Sequence, residues 1–222
     1  MQATLPCADQ FIAHHLAYSF LGKVLYEPPT AEFINILATE RLFDEWMLDG
    51  DHADIRTGLS LLQAFAAQWD EAQLAALTQD YMRLFIGPDT LLAPPWESVY
   101  RSPDGLIFDK STLEVRREYQ RFGMPIPRLH NEPEDHIGLE LRFISHLTAL
   151  GLDAVGKNQV ETTGLIVEAL DSFLHDHLQL WADEYLDKVI THANTAFYRG
   201  IALLTRGCLA QTTSAFTIVA AE

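Results

Sequence analysis

The sequence predicts an all-α fold, and three observations carry that prediction. Apolar residues recur at the three-to-four-residue spacing of a helix over most of the 222 residues. No stretch alternates at period two for long enough to force a strand. Gly, Pro and capping residues punctuate the stripes at intervals suited to helix ends. We expect one compact helical domain over residues 1–222, with about nine or ten helices and a long central loop.

The first helix should begin near Asp9, with Phe11, Ile12, His15, Leu16, Ser19, Phe20 and Val24 at helical spacing. Pro28-Pro29 ends it, and Thr30 is placed to cap a second helix carrying Phe33, Ile34 and Leu37. A short helix is expected through Leu42, Phe43, Trp46 and Met47, broken at Asp49-Gly50. Ile55, Leu59, Leu62, Phe65, Ala66 and Trp69 form the next stripe. Asp70 should cap a helix carrying Leu74, Leu77, Tyr81, Leu84 and Phe85, which Gly87-Pro88 stops. A loop rich in large apolar residues, Pro94-Pro95-Trp96 to Tyr100, follows. Ser111 with Glu114 reads as a capping box for a helix to about Phe122. Gly123-Met-Pro-Ile-Pro127 is a rigid apolar connector. In NEPEDHIG (131–138) Asn131 is the expected N-cap, with Pro133 in the first turn. Gly151 and Gly156 should bracket a turn. Three further helices carry Leu165 or Ile166 with Phe173 or Leu174, then Tyr185 and Val189, then Phe197 to Cys208. The tail from Gln211 is expected to fray.

Composition narrows the function classes. Fifteen Lys and Arg stand against 31 Asp and Glu, a net charge of −16 with His neutral. Such a chain should repel nucleic acid and anionic membrane faces, and its charge either favours a basic partner or serves solubility alone. Two distant cysteines, Cys7 and Cys208, make neither a disulfide scaffold nor a cysteine-only metal site. MQATLPCADQ has no basic n-region, and no apolar run approaches membrane length, so the expectation is a cytoplasmic protein without membrane insertion.

Few segments carry chemistry. GLDAVGKN (151–158) approximates a phosphate-binding loop, but Asn158 lacks the hydroxyl for Mg²⁺ and no strand precedes it. No HExxH, ExxH pair or GxSxG occurs, and no cofactor or metal is expected. The exception is Glu132, Glu134, Asp135 and His136. The helix dipole accounts for one or two of these carboxylates, whereas a protonated His136 gains nothing there. With Pro95-Trp96-Glu97 they would form an acidic rim beside an apolar surface. That suits a basic, hydrophobic peptide. An acid–base pair of Asp135 and His136 in a small hydrolase or nucleotide-dependent enzyme is the alternative.

Three blocks, YMRLFIGP…PPWESVY (81–100), NEPEDHIG (131–138) and AFYRGIALLTRG (196–207), give the chain a resemblance to the TorD/DmsD family of redox-enzyme maturation chaperones. The blocks are most similar to the branch serving dimethyl sulfoxide reductase and similar enzymes. The resemblance implies a cytoplasmic, all-helical, non-enzymatic chaperone. Its partners would be the twin-arginine signal peptide and apoprotein of a molybdopterin-containing oxidoreductase, whose export is held back until the cofactor is inserted. Carried onto this chain, the peptide-binding residues would be Leu84, Phe85, Pro95, Trp96, Glu97, Ser98, Tyr100, Glu132, Asp135 and His136. Leu84, Phe85, Pro95 and Trp96 would receive the apolar part, and Glu97, Glu132 and Asp135 would face the arginines. Family members also form domain-swapped dimers, so a monomer or a swapped dimer is implied. Guanine-nucleotide binding, proposed for some relatives, gains no support from GLDAVGKN.

Overall fold

Helix α1 (Ala8–Tyr26) opens the computed structural model, which describes residues 6–48, 51–87, 90–126 and 132–216. It is followed by α2 (Ala31–Thr39), α3 (Ala53–Ala67), α4 (Leu74–Tyr81), α5 (Glu97–Arg101) and α6 (Lys110–Arg121). Then come α7 (Ile137–Gly156), α8 (Val160–Asp176), α9 (Ala182–His192) and α10 (Ala196–Phe216). The described residues thus hold ten α-helices and no β-sheet, in agreement with the predicted class.

Backbone contacts group these helices into two compact units. The first holds Met1–Lys23, Trp96–Trp181 and Thr212–Glu222, and the second holds Val24–Pro95 and Ala182–Gln211. In the first unit, Phe143 of α7 meets Phe173 of α8 with ring centroids 4.7 Å apart, and Tyr119 of α6 packs at a tilt against Phe143 at 4.9 Å. Helix α1 lies against α7 where Gly151 leaves room for the Phe11 ring. A Cβ at that position would sit 2.4 Å from Phe11 Cε1. In the second unit, α3 and α10 approach closely, since a Cβ on Gly58 would stand 2.8 Å from the Gly200 carbonyl oxygen. Phe65 and Phe197 continue that contact at 5.1 Å.

Several predicted ends hold. The Thr30 hydroxyl accepts the Phe33 N–H of α2 at 3.3 Å. Asp70 and Gln73 form a reciprocal capping box on a 3-10 turn leading into α4.

Other expectations are corrected. The segment around Leu42 to Met47 is a run of turns instead of a helix. Arg41 is left-handed (φ 52), and the Phe43 carbonyl is satisfied by the Gln63 side chain at 2.9 Å, so no helical ladder is needed. Gly151 and Gly156 do not bracket a turn, because α7 runs through both and the reversal comes at Asn158 (φ 55). Gly151 serves a close approach of helices instead. The Ser111–Glu114 capping box is absent. Helix α6 begins after Asp109, whose side chain makes no capping hydrogen bond, Ser111 is buried, and Glu114 pairs with Lys110 at 2.9 Å. Helix α5 starts inside the stretch expected as loop. Helix α10 does not fray from Gln211. It continues to Phe216, which is buried against Phe11 and edge-on to His14 at 4.9 Å. The expected breaks at Asp49-Gly50 and Pro88, and Pro127 of the connector, lie outside the described residues.

Gly151→Leu should force the Phe11 ring out of its seat, at a cost of about 1–3 kcal/mol by overpacking. Urea unfolding of the purified variant measures this, and an unchanged midpoint would contradict the contact.

Candidate functional site

Within the first unit, residues flanking α5 and residues leading into α7 come together. Trp96 and His136 form an antiparallel bridge, and the Glu97 N–H donates to the Asp135 carbonyl at 2.9 Å. Trp96 is the N-cap position of α5, and its indole has no oxygen with which to cap. The cap is supplied from elsewhere in the chain. Asp135 Oδ2 accepts the Ser98 N–H at 2.7 Å, while Oδ1 accepts the Thr112 hydroxyl of α6 at 2.8 Å. One fully buried carboxylate therefore ties α5, α6 and the entry to α7 together.

The neighbours of Asp135 are equally committed. Arg116 of α6 holds Glu134 in a two-point fork, with Nε and Nη2 each 2.9 Å from a carboxylate oxygen. The Tyr119 hydroxyl donates to the Glu134 carbonyl at 3.0 Å. His136, not Asn131, is the N-cap of α7, its Nδ1 accepting the Gly138 N–H at 3.0 Å. Asn131 lies outside the described residues. This answers why a histidine sits at a helix N-terminus: it is neutral there. Burial, reinforced by the charge of Arg142, lowers its pKa to about 3.

Behind this layer Glu97 pairs with Arg101 one turn along α5, and with His177 Nδ1 at 3.0 Å. His177 follows the end of α8 and does not sit within a helix beside His175. Glu140 of α7 is also fully buried, with Oε2 accepting from the Trp181 indole at 3.3 Å. Burial first, then the charges of Glu97 and Asp135, hold its carboxyl well above the usual range. Burial raises Asp135 too, opposed by the hydrogen bonds from Ser98 and Thr112.

The predicted residues thus divide by role. Glu97, Ser98, Asp135 and His136 are closed to solvent, so the expected acidic rim reduces to Glu132. Caps and ion pairs have consumed the other carboxylates. Trp96, Tyr100 and Glu132 are half-buried and reach the surface. Trp96 is held in place by its Nε1–H donating to Glu132 at 3.0 Å and by the edge of His136, centroids 6.1 Å apart. Tyr100 packs on Trp181 at 5.3 Å.

Leu84, Phe85 and Pro95 belong to the second unit and are buried in it. Leu84 and Phe85 lie in a π-helical turn, Met82–Ile86, where Phe85 packs among Tyr81, Tyr185 and Tyr198. That turn is anchored by buried Asp80, which accepts from Arg83 and from the Asn194 and Thr195 N–H groups leading into α10.

Sequence reasoning missed Thr112, Arg116, Tyr119, Glu140 and His177. The only available signal was the excess of carboxylates in NEPEDHIG over what one helix end can use. Among the described residues no group of three or more His, Cys, Asp and Glu is placed to hold a metal ion, and none of the helices is long and apolar enough to cross a membrane. Cys208 is buried, and burial pushes its thiol up to about 12, so it is no nucleophile at neutral pH.

The buried polar groups of this part of the first unit are thus spent on fixing α5 and the start of α7, with Trp96 and Tyr100 half-buried. Residues 48–187 match the family described as nitrate reductase delta subunit. The chain is 33% identical over 193 residues to the probable Tat proofreading chaperone DmsD of Haemophilus influenzae, covering 86% of this chain and 85% of that one. It is 31% identical to the Tat proofreading chaperone DmsD of Salmonella typhi, over 86% of this chain and 84% of that one. It is also 30% identical to the chaperone protein TorD of Vibrio cholerae, over 66% of this chain and 63% of that one. The chain belongs to the TorD/DmsD family of chaperones.

The neutral His136 has a consequence for acid stability. The unfolded chain takes up its proton near pH 6.5 and the folded protein only near 3, so this stability is present above about 6.5 and lost as pH falls toward about 3. The raised Asp135 and Glu140 act in the opposite sense. Comparison with His136→Asn, which keeps an N-cap acceptor, isolates the histidine. Between pH 7 and pH 4 the wild type should lose on the order of 3 kcal/mol more than the variant in urea unfolding. Parallel pH profiles would contradict a buried neutral His136.

Proposed function

We propose that this protein is a cytoplasmic chaperone that binds the twin-arginine signal peptide of a molybdopterin-containing oxidoreductase. In this reading it withholds export until the apoprotein has received its cofactor, and its clients are those of the dimethyl sulfoxide reductase branch. The observation that carries the reading is Trp96, a half-buried indole held by Glu132 and His136 at the head of α5. A large, rigid, partly exposed aromatic with its polar end already satisfied is the kind of anchor on which peptide recognition rests. The relatives named as Tat proofreading chaperones point to the same class of ligand.

We assign the contact surface in the first unit to Trp96, Tyr100 and Glu132. Glu97, Ser98, Asp135 and His136 act from behind, by fixing α5 and the start of α7. Leu84, Phe85 and Pro95 serve as framework of the second unit. This revises the expectation that Glu97 and Asp135 face the arginines, since their oxygens already serve Arg101, His177, Ser98 and Thr112. The enzymatic alternative fares poorly on the same geometry. Asp135 and His136 are both buried, and each is engaged with a different backbone N–H, so neither is placed to exchange a proton with a substrate.

Isothermal titration with a synthetic twin-arginine signal peptide tests the reading. The wild type should bind, and Trp96→Ala should lose at least about tenfold in affinity, roughly 1.4 kcal/mol. Unchanged binding by the variant would overturn the surface, and absence of binding to any such peptide would overturn the function.

A further inference from the structure

Glu140 of α7 is a fully buried acid that meets a second acid. Its Oε2 accepts the Trp181 indole N–H at 3.3 Å. Among the described residues no N–H or O–H donor reaches its Oε1. The side chain is, however, in hydrogen-bonding contact with Glu97 of α5, which is fully buried as well. Two ionised carboxylates in such contact would repel each other with no water between them to screen the charge. An ionised carboxylate only accepts hydrogen bonds, so the contact needs a proton, held by one of the two.

The surroundings say which one holds it. Glu97 has the Arg101 guanidinium one turn along α5 and His177 Nδ1 at 3.0 Å, so its charge is compensated. Glu140 has the neutral indole alone as a donor among the described residues. The groups whose charge acts on it from other positions, Glu97 on α5 and Asp135 at the entry to α7, are both acids. Tyr119 of α6 lies in the same negative field, which keeps its phenol neutral. The proton therefore belongs to Glu140. Its hydroxyl then donates to Glu97 while its carbonyl oxygen accepts from Trp181, and both oxygens are satisfied. Each contact leads to a residue assigned above to the contact surface. Glu97 directly follows Trp96, and Trp181 is the ring against which Tyr100 packs at 5.3 Å.

We propose that Glu140 is a positioning residue for Trp96 and Tyr100, a neutral carboxylic acid that donates its proton to Glu97 and seats Trp181 against Tyr100. Removal of that proton sets two like charges against each other between α5 and α7, so the seating of α5 weakens as pH rises. This role rests on the proposed function only for what Trp96 and Tyr100 bind.

Carbon-13 NMR of the glutamate carboxyl groups tests it directly. The Glu140 resonance should stay at the position of a protonated acid after ordinary glutamates, near 4.5, have titrated. Two variants extend the test. Glu140→Gln keeps a neutral donor toward Glu97 and an acceptor for Trp181, whereas Glu140→Met keeps the bulk and removes both. Amide exchange in α5 should be at least about tenfold faster in the methionine variant and restored to the wild-type rate in the glutamine variant. Urea unfolding supplies the pH dependence. The folded protein retains a proton that the unfolded chain releases near 4.5, so this contribution is complete below that value and is lost as pH rises through the raised folded one. Across that window the folding equilibrium of the wild type should fall by up to about tenfold per pH unit relative to Glu140→Gln. A Glu140 resonance titrating near 4.5, equal exchange in the two variants, or parallel wild-type and glutamine profiles would each overturn the proposal. None of these measurements uses a peptide, so a failed signal-peptide titration would count against the function alone.

Discussion

The Asp135 carboxylate is the contact on which the setting of α5 in the first unit depends. Trp96 heads helix α5 but cannot cap it, so the free Ser98 N–H of that first turn must be satisfied from elsewhere. Asp135 does this with one oxygen and holds Thr112 with the other, while its own carbonyl accepts the Glu97 N–H. The backbone that follows Trp96 and the start of α6 are thereby tied to a single residue.

Burying so many acids in one unit requires compensation, and each acid finds a different kind. Glu134 is matched by the Arg116 fork, Glu97 by Arg101 and His177, and Asp135 by neutral donors. Glu140, lying in the field of Glu97 and Asp135, is held toward its protonated form. Breaking any one of the ion pairs leaves an uncompensated buried charge, which typically costs 3–5 kcal/mol. The arrangement is therefore better understood as fixing geometry than as adding stability. What it fixes is the arrangement of α5, α6 and the entry to α7.

The class of fold was legible because apolar periodicity reports burial directly. The stripes of α9 and α10 correspond to helices with those residues inside, and those of α3 and α8 to helices that bury Ile55 and Leu62, and Ile166, Phe173 and Leu174. Individual ends were less legible, because a side chain's local chemistry does not say which tertiary partner will claim it. Gly151 read as a turn residue, yet its missing Cβ is used by Phe11. Ser111 read as a cap and is buried instead. The site was half visible. NEPEDHIG carried more carboxylates than one helix end can use, and Trp96 stood out in its loop. That Glu97, Glu134 and Asp135 face inward was not legible, since the residues that receive them, Arg116, Thr112 and His177, lie on other elements. Arg116 in particular sits among Arg117 and Arg121, where nothing local distinguishes it from a solvated face.

Amide hydrogen exchange in Asp135→Ala tests this dependence most directly. If Asp135 secures the first turn of α5, the Ser98 amide, which donates to its carboxylate in the wild type, should exchange at least about tenfold faster in the variant, while core amides of α8 keep their protection. Unchanged protection at Ser98 would show that α5 and Trp96 are held by something other than this carboxylate, and would contradict the account.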